Sequence, residues 1–181
     1  MGYSSLEGLN IDYKNNSLVS KQLVDIFSDC SDLYEANHFI NYDLLEKKLS
    51  RDLKKFKKKL LSLKLPKTGA HGDLHDGNII INTNNDLKFI DWRNYRANNS
   101  VLYDIFHRDV RTLCKNKNIS WTDAILNYDI NENNFIKNSY NLSCIKLFYS
   151  LITIDLELTL NKNQYFKLNK FNKLLDKINL D

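Results

Sequence analysis

The sequence predicts a mainly α-helical fold interrupted by one small β-hairpin. Three observations predict it. Apolar residues recur every three or four positions over several stretches, the spacing of one buried helix face. Backbone-breaking residues are few and gathered: of five glycines and one proline, four lie between Pro66 and Gly77. Directly after that cluster come two β-prone runs, Ile79-Ile80-Ile81 and Leu87-Lys88-Phe89-Ile90. Between them lie Asn82-Thr83-Asn84-Asn85-Asp86, residue types that favour turns.

In chain order, a first helix is expected over 17–29. The clearest helix is expected over 41–63, where Leu45, Leu49, Leu53, Phe56, Leu60 and Leu63 form one apolar stripe. Lys47, Lys48, Arg51, Lys54, Lys55 and Lys57 to Lys59 cover its other faces, and a solvated surface is the expectation for them. Gly69 to Asn78 reads as a loop leading into the hairpin. A helix over 101–116 turns Val101, Ile105, Val110 and Leu113 inward. Trp121 opens a short helix as a core residue. A long buried helix is expected over 134–160. The chain closes with a helix over 163–179 that places Tyr165, Leu168, Phe171, Leu175 and Ile178 on one side.

Composition bounds the function classes. The 181 residues are 43% hydrophobic and 27% charged, which suits one compact domain with a substantial core. A net charge of +4 and the absence of a stacking motif argue against nucleic acid as a partner. Cys30, Cys114 and Cys144 are odd in number and form no CxxC pair, so buried free thiols in a reducing cytoplasm are expected. The N-terminus has no basic and apolar leader pattern, which fits a cytoplasmic location. The most apolar run, Leu142 to Leu160, contains Lys146, Asp155 and Glu157, and reads as a buried helix and not a membrane span. Those two acids are taken as exposed helix positions.

The chemistry concentrates in His71-Gly72-Asp73-Leu74-His75-Asp76-Gly77-Asn78 and Ile90-Asp91-Trp92. Antiparallel pairing of the hairpin brings Asn78, before its first strand, near Asp91, after its second. An amide oxygen beside a carboxylate suits Mg²⁺, a hard cation that takes few protein ligands and keeps places for phosphate oxygens. Asp73 lies in the same loop, where a third acid can orient or deprotonate a substrate hydroxyl. Phosphoryl transfer needs little more than metal, alignment and charge neutralisation.

These residues resemble the catalytic core of the aminoglycoside phosphotransferase and choline kinase superfamily, relatives of protein kinases. That pattern is HGDLHxGN, a short hairpin, then IDW or IDF. Residues 71–78 and 90–92 match it, with Asp76 at the free position, and Tyr103-Asp104-Ile105 resembles the family's YDL. The resemblance implies the helical C-terminal lobe of a kinase-like fold over 17–181, with the catalytic and metal loops at 69–92. It implies Asp73 as catalytic acid, Asn78 and Asp91 as Mg²⁺ ligands, and ATP or another nucleoside triphosphate as donor. His71 and His75 would order the loop, and Asp104 would brace it through its backbone. The acceptor would be a hydroxyl of a small molecule: an aminoglycoside, a choline-like amine or a sugar.

His107-Arg108-Asp109 spells the protein-kinase HRD triplet, but the expected asparagine is replaced by Cys114 and no strand follows. A helix surface is the expectation there. The resembling kinases also have an N-terminal lobe with a Gly-rich loop and a lysine on the phosphates. Residues 1–70 show no Gly-rich loop and no series of β-strands, and residues 1–16 read as the tail of a hinge. The lobe that clamps ATP is thus expected to be absent, and activity of the isolated chain weak. Three readings stay open: half of a split kinase completed by a separate chain, a truncated remnant, or a pseudokinase-like module that binds nucleotide or metabolite without chemistry. A metallophosphoesterase, suggested by Gly72-Asp73-Leu74-His75, lacks the upstream DxH and ranks below these.

Overall fold

The computed structural model describes residues 3–5, 13–82, 86–129, 140–160 and 165–178. Positions 83–85 of the predicted turn, 134–139 of the predicted long helix and 6–12 of the predicted hinge tail lie outside them. Where composition suited one domain, the chain divides into two compact units, each made of two segments. The first contains Met1–Leu33 and Pro66–Asn118, and with them every candidate site residue. The second contains Tyr34–Leu65 and Ile119–Asp181.

In the first unit, helix α1 spans Tyr13–Ser28, starting four residues earlier than predicted, and buries Val19 and Leu23. The hairpin forms as expected from β4 (Ile79–Asn82) and β5 (Leu87–Phe89), with Ile79 opposite Phe89 and Ile81 opposite Leu87. A strand the sequence pattern did not reveal, β1 (Tyr3–Ser5), adds antiparallel to β4 and makes a three-stranded sheet of order β1-β4-β5. Three residues are too few for alternation to register. Helix α4 (Val101–Lys117) packs against α1. Ser100 caps its start by accepting from Leu102 N, and Asn118 ends it in the left-handed conformation. Val101, Ile105, Val110 and Leu113 are buried as predicted.

In the second unit the predicted helix 41–63 is two helices, α2 (Tyr42–Leu49) and α3 (Lys54–Leu60). The break has local causes. Ser50 takes φ 49°, a left-handed C-cap, Glu46 Oε1 accepts Leu53 N at 2.8 Å, and Asp52 Oδ1 accepts Lys54 N at 2.8 Å. These polar groups offer the backbone partners that an unbroken helix would have supplied internally. The apolar stripe survives the break: Leu45, Leu49, Leu53, Phe56, Leu60 and Leu63 are all buried. Strands β2 (Leu33–Glu35) and β3 (Lys64–Pro66), each extending one residue past this unit's bounds, form a two-stranded sheet. The lysine-rich face is largely solvated, with Lys47, Lys54, Lys55, Lys57 and Lys58 exposed.

Helix α5 (Trp121–Asn127) follows a Ser120 cap. Trp121 is half-buried against Tyr149 and Phe171, and its Nε1 donates to Tyr149 Oη at 3.0 Å. Helix α6 (Leu142–Leu160) starts where Asn141 Oδ1 accepts from Ser143 N and Cys144 N. It contacts α2, α3 and the last helix, α7 (Tyr165–Lys177). Ile145, Leu147, Phe148, Leu151, Ile152 and Ile154 are fully or almost fully buried. At about 1.5–3 kcal/mol each, such side chains make α6 the main apolar anchor of this unit. Along α7, Phe171, Leu175 and Ile178 are buried and Leu168 half-buried; the Tyr165 side chain lies outside the described ones. Asp155, expected at an exposed position, is buried, and Glu157 is half-buried, because α6 is enclosed on most sides. Among the described residues no helix is long and apolar enough to cross a membrane. Among the described residues the three cysteines form no disulfide, and only Cys144 is buried; Cys30 and Cys114 are half-buried.

Candidate functional site

The site grows from one irregular loop that Asp104 holds by its backbone. Asp104 Oδ2 accepts His71 N at 2.6 Å, and Oδ1 accepts Gly72 N at 2.9 Å. The loop needs glycine where it bends. Gly72 sits at φ 86°, and a Cβ there would lie 2.2 Å from Asn94 O. Before it, Ala70 exchanges two backbone bonds with Arg96, each 2.9 Å, and Gly69 N donates to Asn99 O. Burial pushes the Asp104 carboxyl up to about 7, against the two amides that draw it back toward the ionised form.

Beyond the bend, Asp73 is part-exposed and Asn78 buried. Asn78 Nδ2 donates to Asp73 O at 2.8 Å, which fixes the amide and leaves its Oδ1 as the acceptor. His75 Nδ1 accepts Gly77 N at 3.1 Å. His71, also expected to order the loop, is buried, and its Nε2 lies 2.7 Å from Ile90 O. The hairpin ladder continues through Ile90 N, which donates to Asn78 O at 2.9 Å. The predicted juxtaposition follows, with Asp91 one residue past the position paired with Asn78. Asp91 takes φ 63°, ψ 58°, a left-handed conformation unusual for a residue with a side chain.

Arg93 grips the Asp91 carboxylate with both arms, Nε to Oδ1 at 2.5 Å and Nη2 to Oδ2 at 2.6 Å. This bidentate contact holds the Asp91 carboxyl below the usual carboxylate range. Among the described residues no group of three or more His, Cys, Asp or Glu converges as a metal centre. One carboxylate and one anchored amide oxygen still fit a hard cation that draws most of its ligands from phosphate and water. A cation at Asp91 would either share the lone pairs that Arg93 leaves free or displace Arg93. The Arg93 side chain is 85% exposed, so its departure costs little burial.

Helix α4 supplies site residues that the sequence reading placed on a solvent-facing surface. The segment is helical as expected, but His107 and Arg108 are buried and turned into the loop. His107 Nε2 lies 3.3 Å from Asp73 Oδ1, and its ring stacks on Tyr103. Arg108 Nε donates to Asp76 Oδ1 at 3.0 Å, a pair whose side chains are only 6% and 14% exposed. Asp76, which the motif leaves free, is thereby a structural anchor. A signal was present. Asp104, His107, Arg108 and Arg111 follow i, i+3, i+4, i+7 spacing, which puts them on one helix face.

The electrostatics divide the pair cleanly. Burial raises the Asp73 carboxyl, but the hydrogen bond and charge of His107, with His75 and Arg111 nearby, outweigh it and leave Asp73 below the usual range. Burial lowers His107 below the usual histidine range, against the upward pull of Asp73. Both directions agree on one state near neutrality, a neutral imidazole donating Nε2–H to an ionised carboxylate. No family model, curated protein or solved structure matches this chain, so the reading of the site rests on its own residues.

Proposed function

We propose that the loop and hairpin of residues 69–92 serve phosphoryl transfer from a nucleoside triphosphate to a hydroxyl of a small molecule. The observation that carries the reading is the arrangement of Asp73, Asn78 and Asp91. An ionised, part-exposed Asp73 stands in the loop whose amide Asn78 is anchored to it, and the ladder brings Asp91 beside Asn78. The motif resemblance supports the same roles. Asp73 accepts or aligns the proton of the acceptor hydroxyl, and His107 keeps that carboxylate ionised and oriented. Asn78 and Asp91 would hold Mg²⁺, which supplies neutralisation of phosphate charge when bound. Arg93, released from Asp91, would carry its charge to phosphate oxygens. The proposed partners are an aminoglycoside, choline-like amine or sugar as acceptor, and a phosphate-covering lobe supplied outside residues 17–181. A second reading, nucleotide binding without turnover, is favoured by the Arg93 grip that occupies both oxygens of Asp91.

Equilibrium titration with Mg·ATP, followed by assay of phosphate transfer to the three acceptor classes, tests the proposal. Expected is Mg²⁺-dependent nucleotide binding that Asn78→Ala and Asp91→Ala weaken, and transfer that Asp73→Ala abolishes with nucleotide binding retained. Binding with no transfer supports the second reading. No Mg²⁺-dependent binding overturns both.

A further inference from the structure

Helix α4 brings one more cation to the candidate acid. Asp104, His107 and Arg108 share a face of the helix, and each contacts the loop: Asp104 the amides of His71 and Gly72, His107 the Asp73 carboxylate, Arg108 the Asp76 carboxylate. Arg111 continues that face one turn on, so its side chain starts beside those of His107 and Arg108. Its positive charge is felt at both the Asp73 carboxyl and the His107 ring. The other arginines of the site are engaged, Arg93 with Asp91 and Arg108 with Asp76. Arg111 is exposed and has no hydrogen bond or ion pair among the described residues.

The acids of the same motif are already matched. Asp76 pairs with Arg108, Asp91 pairs with Arg93, and Asp104 is buried on two amides. Asp109, the other acid of α4, falls on the opposite side of the helix by its spacing. That leaves Asp73, which the phosphoryl-transfer reading reserves for the proton of the acceptor hydroxyl. A cationic acceptor would therefore set its ammonium against its own hydroxyl for one carboxylate. An anionic group on the acceptor meets no such conflict, and a guanidinium presents paired donors that match phosphate or carboxylate oxygens.

Resting on the phosphoryl-transfer reading, we propose that the acceptor is a sugar bearing an anionic group, phosphate or carboxylate, which Arg111 binds while a hydroxyl of the same sugar faces Asp73. Of the acceptor classes named above, this keeps the sugar and sets aside the two cationic ones. The chemistry stays balanced: the sugar oxygen bonds the terminal phosphorus, the nucleoside diphosphate leaves with the electrons of the broken O–P bond, and the hydroxyl proton passes to Asp73.

The test is a comparison of glucose, glucosamine, glucuronate and glucose 6-phosphate, titrated into the full chain without nucleotide. Calorimetry reads affinity, and the ¹³C signal of the labelled Asp73 carboxyl, assigned by its loss in Asp73→Asn, reads proximity to the acid. Expected is binding of glucuronate and glucose 6-phosphate about tenfold tighter than that of glucose, with the Asp73 signal moved and no gain for glucosamine. The tighter of the two anionic sugars names the anion. In Arg111→Gln both should fall to the level of glucose, and Arg111→Lys should recover part of the loss, because charge returns without the planar fork. Equal binding of glucose and the anionic sugars, an anion preference that survives Arg111→Gln, or an unmoved Asp73 signal each overturns the proposal. So does Arg111→Gln weakening Mg·ATP binding with the sugars unaffected, since the guanidinium then serves the donor. Failure of the wild type to bind Mg·ATP, with the anion preference and its loss in Arg111→Gln intact, overturns the phosphoryl-transfer reading and upholds the sugar site.

Discussion

His107 Nε2 lies 3.3 Å from Asp73 Oδ1, and this contact ties helix α4 to the loop that carries the candidate acid. The helix is thereby joined to the loop by a polar contact as well as by packing. Removing the imidazole in His107→Ala leaves the burial that raises Asp73 and deletes the donor that lowers it. The Asp73 carboxyl should therefore titrate at higher pH in the variant, as read by ¹³C NMR of labelled aspartate. The sign for stability follows. Asp73, depressed on folding, adds stability above its ordinary value of 3.8 that is lost as pH falls through the lower folded value. His107→Ala should bring acid unfolding to a higher pH. An unmoved Asp73 midpoint would sever the proposed link between helix and acid.

Asp104→Asn should destabilise the chain by about 1–3 kcal/mol at pH 4.5, because an amide NH₂ would face one of two buried backbone donors. The difference depends on pH in a defined direction. Asp104 has a raised folded value, about 7 against an ordinary 3.8, so its contribution is intact below 3.8 and declines as pH rises through 7. The asparagine does not titrate. The gap between wild type and variant should thus narrow from pH 4.5 to pH 7.5 in urea unfolding. A gap that widens would mean that the two amides outweigh burial.

The Arg108–Asp76 pair is a buried ion pair, and removing one member should cost more than removing both. Arg108→Met leaves the Asp76 carboxylate enclosed without its partner, at a cost of about 3–5 kcal/mol. Adding Asp76→Leu should recover a large part of that loss. Thermal unfolding of the two single variants and the double variant gives the coupling. Strict additivity would show that the pair contributes no interaction of its own.

Under the proposed function, a divalent cation at Asp91 would meet a carboxylate that Arg93 already holds through both oxygens. Arg93→Ala should therefore tighten binding of Mn²⁺, a paramagnetic stand-in for Mg²⁺, by up to about fivefold, the range of an exposed ion pair. Asp91→Ala should remove the binding. Water-proton relaxation enhancement measures both. Weaker Mn²⁺ binding in Arg93→Ala would instead assign Arg93 to orienting Asp91 for the metal.

Much of the site was legible because its parts are close in sequence. The span from Gly69 to Asp91 is one loop and one hairpin, and hairpin geometry alone brings Asn78 to Asp91. The observed register, with Ile79 opposite Phe89, follows from the length of the two runs and the turn between them. The bracing by Asp104 came from a motif pattern and not from local physics, since Asp104 lies 32 residues beyond Gly72. His107 and Arg108 were legible in spacing but were read as surface. Polar residues on a helix normally face water, and only the loop packed against α4 reverses that.

The sequence by itself determined the helical character, the buried stripes, the hairpin and the cluster Asp73, Asn78 and Asp91, because periodicity and turn chemistry are local. Tertiary structure decided the rest. It broke the helix at Ser50, where side-chain oxygens of Glu46 and Asp52 satisfied amides that the pattern assigned to the helix. It added β1 to the sheet, turned His107 and Arg108 inward, and buried the His71 ring against the Ile90 carbonyl. Each of these depends on which polar group meets which partner across a long stretch of chain. Desolvation and hydrogen-bond satisfaction settle that choice only once the backbone has closed around it.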